Sequence, residues 1–283
     1  MNKYFIIVVV LLVNTIYSSA QDSIVNKTSH TRQELPNWYS HKYEIHAGAF
    51  FPLNNTQVRV GSTTSGKGSL LDLEDNLGFS KYTTSFYGTF SWQVSKRSRF
   101  DLNYFYLSRS SRYTIDKDIV FGENTYNADA QIEAFFNTQI LRFSYGYAIF
   151  NKPKYQIGAL IGTHILFGNI GLRAETNVGS GEIKDNLDFT APLPDLGLWN
   201  KFLISKKLAL YSNMNYLSLK INNISGRILS YNASVSYSLI PNLNLNLGYT
   251  GLNFRVDIEK ERLNGFLKWG YNGPTITAMY SFN

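Results

Sequence analysis

The stretch that decides the fold is Leu229-Ser230-Tyr231-Asn232-Ala233-Ser234-Val235-Ser236-Tyr237-Ser238-Leu239. Every odd position is apolar or aromatic, and every even position is Ser or Asn. A period of two marks a β-strand with two unlike faces. Its polar face holds Ser and Asn rather than Lys and Glu, which suits a wet interior better than bulk solvent. The alternation also outlasts the ~5–6 residues usual for strands of a soluble sandwich. Both features point to a strand that crosses a bilayer, with its apolar side to lipid and its polar side to a lumen.

Working outward, the same reading recurs along the chain. In KYEIHAGAFF (42–51), Tyr43, Ile45, Ala47 and Ala49 oppose Lys42, Glu44, His46 and Gly48. In TTSFYGTFSWQV (83–94), Phe86, Phe90, Trp92 and Val94 oppose Ser85, Thr89 and Ser91. Phe100, Leu102, Tyr104 and Tyr106 oppose Asp101 and Asn103, and Phe143, Tyr145 and Tyr147 oppose Arg142, Ser144 and Gly146. Further strands are read at 155–162, 208–221, 243–250 and 275–282, and a sixth at 195–204, where Asn200 interrupts the apolar face. The expected fold is all-β: a transmembrane antiparallel barrel of ten strands within 41–283, with eight as the alternative if the sixth strand and a neighbour form an excursion. Connections near 96, 152, 206 and 241 are tight; those at 52–80, 113–128 and 169–190 are long and polar, and only the last two, near 223 and 261, are shorter. Short turns at the periplasmic side and long loops outside are the expected arrangement for such barrels.

Ahead of the barrel, Lys3 precedes an apolar run from Tyr4 to Val13, and small residues end at Ala20. Residues 1–20 are therefore read as a secretory leader cleaved before Gln21, and the polar 21–40 as a flexible periplasmic segment. Apart from the leader, no stretch approaches the ~20 apolar residues of a membrane helix. The chain has no Cys, which excludes thiolate metal centres and a lipidated N-terminal Cys. With 20 Tyr and 19 Phe it has enough aromatics for interfacial girdles. Its net charge of +7 is scattered, so contact with outer-membrane lipids and lipopolysaccharide is expected, and nucleic-acid binding is not.

Two segments carry a resemblance. Ser69-Leu70-Leu71-Asp72-Leu73-Glu74-Asp75-Asn76-Leu77-Gly78-Phe79 resembles the LDLEDDLG-type first loop of a group of small bacterial outer-membrane barrels of the OmpA/OmpW-like kind. Gly273–Phe282 is similar to the closing strand of that group. The resemblance implies an outer-membrane location and recognition of Tyr280 and Phe282 by the barrel-assembly machinery, although Asn283 follows Phe282 here.

Candidate site residues are the charged groups on inward faces: Glu44, His46, Asp101 and Arg142. Charges removed from water must pair, so these four predict either a network that stiffens the lumen or a selectivity ring of a pore. His46 and His164 both face inward without a neighbouring Ser or Asp in sequence, so polar lumen roles are expected rather than catalysis. Asp72, Glu74 and Asp75 are oxygen ligands of a kind calcium takes, but they lack the spacing of a calcium loop, and a turn that orders the segment is favoured. No metal or cofactor is expected, nor an enzyme. Composition and pattern leave two functions open, a narrow pore or binding barrel for small or apolar molecules, and a structural or surface-interaction barrel with a plugged lumen. A lipid-modifying outer-membrane enzyme ranks below both.

Overall fold

The computed structural model describes residues 35–61, 66, 68–175, 182–260 and 263–283. The expected leader, and the expected flexible segment up to residue 34, lie outside them. Along the chain come β1 (Tyr43–Phe50), β2 (Leu53–Gly61), β3 (Leu71–Asp72), the one-turn helix α1 (Leu73–Asn76), β4 (Ser85–Gln93), β5 (Ser98–Thr114), β6 (Ile119–Phe121) and β7 (Asn124–Tyr126). Then follow the long strands β8 (Gln131–Lys152), β9 (Tyr155–Glu175), β10 (Glu182–Ser205), β11 (Leu208–Ile221), β12 (Ile224–Ile240), β13 (Leu243–Lys260) and β14 (Leu263–Phe282).

Ten of these strands hydrogen-bond in the order β1-β4-β5-β8-β9-β10-β11-β12-β13-β14, and β14 returns to β1 from Phe50↔Thr275 to Tyr43↔Phe282. Towards the turns that join its strands the ring is closed and antiparallel, so that part has no free edge. The eight-strand alternative falls, because β10 pairs with β9 from end to end and with β11 over its lower part. Tight connections join β4 to β5, β8 to β9, β10 to β11 and β12 to β13, all at one end of the barrel, the turn end. In the last of these, Asn242 takes a left-handed φ of 69° after Pro241, which lets the chain reverse at once.

Strand length carries the next inference. A tilted membrane strand needs ~9–11 residues, whereas β8 has 22 and β10 has 24. Much of each therefore stands beyond the bilayer, towards the other end, the loop end. There the alternation reverses. Near the turn end β13 sends Leu245 and Leu247 outward and Asn244 and Asn246 inward; towards the loop end Leu252 and Phe254 are buried inside, and Asn253 faces out. Likewise, β8 buries Ile132, Ala134, Phe136 and Ile140 inside above the level where Arg142 and Ser144 face the lumen. Where the surroundings are lipid, apolar side chains gain nothing by turning inward; where they are water, burial is favourable by roughly 25 cal/mol per Å².

This reversal corrects the long-loop expectations. Residues 169–175 and 182–190 continue β9 and β10, with Asn169 donating to Asn186 at 2.7 Å on the wet outer face, and Ile170 and Leu172 buried within. Polar outward faces gave that stretch its loop-like composition. Within 52–80, β2 takes over the edge of β14 beyond Pro52, from Leu53↔Asn272 to Gly61↔Asn264. The segment 71–79 then folds into the lumen, burying Leu71, Leu73, Leu77 and Phe79. Within 113–128, β6 and β7 form a hairpin tied to Val60 and Ser69 on one side and to Leu172 and Asp185 on the other.

Of the segment expected to be flexible, residues 35–40 are described, and these are docked. A 3₁₀ turn, Asn37–Tyr39, buries Trp38 and Tyr39 against Ala209 and Met279 at the turn end of the lumen.

Candidate functional site

The lumen is filled in layers that can be followed upward from the turn end. The floor is the Trp38–Tyr39 turn. Trp38 Nε1 donates to the Lys206 carbonyl at 2.9 Å, and the Tyr39 hydroxyl donates to that of Lys201 at 3.2 Å. Burial, together with the Glu44 carboxylate, pushes the Tyr39 phenol above the ordinary tyrosine range.

The next layer is charged. Lys201 Nζ lies 3.0 Å from Glu44 Oε1 and 4.5 Å from the Tyr39 ring centre. His46 Nε2 is 3.7 Å from Glu44 Oε2, and Asn246 donates to His46 Nδ1 at 2.9 Å. Beside this group, Arg99 reaches Asp101 at 2.8 Å and stacks over Trp199 at 4.6 Å. Trp199 occupies the space that glycine leaves on neighbouring strands: a Cβ on Gly158 would stand 2.6 Å from its Nε1. Gly146 and Gly158 thus make room for Trp199 rather than for solute.

A second polar knot lies above. Asp195, with a fully buried side chain, takes Arg142 Nη2 at 3.3 Å and stands 2.8 Å from His164 Nδ1. Arg142 also donates to Asn215 at 3.1 Å. Over it sits an aromatic layer in which Phe105 lies 5.0 Å and Trp269 5.1 Å from the Tyr271 ring, with Phe50 and Phe136 beside them. The void lined by Arg142, His164 and Tyr271 measures only about 60 Å³.

At the loop end the 71–79 segment fills one side. Glu74, expected as part of an acidic cluster, turns inward and pairs with Arg109, while the Thr56 amide donates to it at 2.7 Å. Asp72 instead caps α1 by accepting from the Asp75 amide at 3.1 Å, and Asp75 meets Lys81 at 3.0 Å on the surface. The three carboxylates take three separate partners and do not converge as a calcium cage would. The opposite side of the loop end holds a cavity of about 910 Å³. Inward side chains of Leu187, Phe189 and Leu193 from β10, Leu217 from β11, Ile228 from β12 and Phe254 from β13 line it.

Of the four sequence-selected residues, the structure joins Glu44 to His46, gives Asp101 to Arg99, and places Arg142 in a separate knot with Asp195 and His164. Lys201, Arg99 and Asp195 were missed. Two of them were within reach of the pattern. Asp195 and Lys201 share the inward parity of Trp199, opposite Leu196, Leu198, Phe202 and Ile204. Asn200 obscured this by facing outward, where it donates to Ser212 at 2.5 Å. The cavity was missed with the reversal that creates it.

A closed antiparallel ring, apolar and aromatic outside its lower half and polar within, defines an outer-membrane β-barrel in contact with lipid. No family model and no curated protein matches the chain, so the OmpA/OmpW-like resemblance stays with the two segments that carry it. Several solved structures are similar to it at low identity. The NalP autotransporter translocator domain of Neisseria meningitidis gives a TM-score of 0.41 at 9% identity, covering 86% of this chain and 89% of that one. The toluene transporter TodX of P. putida gives 0.34 at 9%, covering 88% and 93%. The attachment invasion locus protein Ail of Yersinia pestis gives 0.32 at 9%, covering 85% and 100%. At these scores they add nothing to what the closed ring already defines.

Proposed function

We propose that this barrel binds small apolar molecules in the cavity at its loop end, and acts neither as an open pore nor as an enzyme. One observation carries the reading: an apolar cavity of about 910 Å³ stands above a lumen packed with aromatic and ion-paired layers. Its size falls within the ~300–1,000 Å³ usual for small-molecule sites. The loop end is taken as the cell exterior, because tight turns face the periplasm in such barrels. Tyr280 and Phe282 lie on the outward face of β14 near the turn end, where Phe282 stacks on Tyr43 at 5.3 Å; this placement supports their reading by the assembly machinery.

The test uses the barrel held in an amphipathic polymer and the apolar fluorophore N-phenyl-1-naphthylamine. Saturable binding is expected, weakened at least tenfold in Leu193→Arg and Leu217→Arg variants that keep heat-modifiable gel mobility. In planar bilayers the protein should show no stable conductance steps. The filled lower lumen also favours a second reading, a structural or surface-interaction barrel. Absence of saturable binding would leave that reading standing, and steady conductance would overturn both.

A further inference from the structure

The wall beside the cavity is not sealed. Pairing of β10 with β11 runs from Ser205↔Leu208 to Leu196↔Tyr216 and stops there, although β10 continues to Glu182 and β11 to Ile221. Above that level the β10 backbone pairs with β9 alone, and the β6–β7 hairpin reaches it through the Asp185 side chain.

The sequence accounts for the break. The Leu203 amide donates to the Lys154 carbonyl on the β9 side, and the β9–β10 register continues unbroken to Glu182. In an antiparallel ladder successive amides point to opposite neighbours. Odd residues of β10 therefore donate towards β9, and even residues towards β11. Pro192 and Pro194 are even. Both lack an N–H where β11 would need a donor, and two such losses in succession end a ladder.

Cavity and gap are continuous. Alongside the inward Leu187, Phe189 and Leu193, the cavity is lined by Thr163, Pro192 and Pro194, whose parity places them on the outward face. A space bounded by both faces of a wall passes through it. The outward surface on either side of the gap stays apolar up to Phe167 on β9 and Tyr216 on β11, both exposed. The gap therefore opens where the lipid-facing band ends, while the β6–β7 hairpin lies across part of the axial mouth.

We infer that the β10–β11 gap is a lateral portal through which hydrocarbon or acyl-chain molecules dissolved in the outer leaflet exchange with the cavity. This rests on the reading of the cavity as an apolar ligand site. The ligand then arrives from lipid and never crosses water.

The native chain has no Cys, so single cysteines report cleanly. Leu193→Cys (cavity), Leu198→Cys (lipid-facing) and Ser236→Cys (buried in the lower lumen) are reconstituted in phosphatidylcholine vesicles containing N-dodecylmaleimide, and adduct formation is followed by mass. Leu193→Cys should react within about tenfold of the rate at Leu198→Cys, and Ser236→Cys should not react. Adding Pro192→Val and Pro194→Val to Leu193→Cys, which restores both donors, should slow its reaction at least tenfold. Modification of Leu193→Cys by a charged water-soluble maleimide but not by the bilayer reagent would overturn the portal and leave the cavity intact. Modification by neither would overturn the cavity itself. If the valines leave the rate unchanged, the prolines do not hold the gap open, and that part of the inference fails.

Discussion

Along β8, Phe143, Tyr145 and Tyr147 face outward while Arg142 and Ser144 face the lumen; towards the loop end of the same strand Ile132, Phe136 and Ile140 face inward and Glu133 and Gln139 face out. The backbone alternation is the same in both halves, and only the exterior differs. Lipid outside the lower half accepts the apolar face and leaves the lumen to polar groups, which must then satisfy one another. Water outside the upper half reverses the preference, so the upper lumen becomes apolar in the manner of a small soluble barrel. The lower half is thus stabilised by paired charges, and the upper half chiefly by packing, with the buried Glu74–Arg109 pair set into it. The half stabilised by packing is the one with space left for a ligand.

Removing a charge from the lower half gives the largest expected effect. Arg142→Ala leaves the buried Asp195 with only His164 as an ionisable neighbour, and loss of one partner of a buried pair typically costs about 3–5 kcal/mol. Leu107→Ala in the upper half removes a side chain that is 1% exposed and should cost about 2–5 kcal/mol through the cavity it leaves. Urea titration in vesicles, followed by tryptophan fluorescence, measures both. The contrast would break if Arg142→Ala unfolded at the wild-type midpoint, since the polar knot would then contribute nothing.

A smaller effect concerns the floor. The Tyr39 phenol is pushed up by burial and by Glu44, so docking of residues 35–40 is fully favoured below the ordinary tyrosine value of about 10. That contribution is lost as pH rises from there through the raised value. Trp38 emission should shift red over this alkaline window in the wild type and not in Tyr39→Phe. An identical shift in both proteins would remove the phenol from the account.

The lower half was legible in the sequence because its alternation is unmixed, as at Leu229–Leu239, and because its turns are short. The ring of ten and the inward placing of Glu44, His46, Asp101 and Arg142 followed from parity alone. Their partners did not, since which inward charges meet depends on stagger between strands, which no single strand encodes. The upper half misled for a definite reason. Asn169, Asn186 and Asp188 are outward residues of strands in water, and their polarity resembles a loop unless the inward Ile170, Leu187 and Phe189 are read with them. The 71–79 segment was recognisable as a motif, but nothing local to it shows that Glu74 turns inward to Arg109.

The reversal itself is open to direct measurement. Single spin labels placed at each residue from Gln131 to Tyr147 of β8 report collision with oxygen, which concentrates in lipid, and with a water-soluble nickel chelate. The account predicts oxygen-rich odd positions from Leu141 to Tyr147, a switch to chelate-rich odd positions from Gln139 to Gln131, and even positions low in both throughout. Oxygen-rich odd positions along the whole strand would contradict it, because the bilayer would then surround the half in which the apolar face points inward.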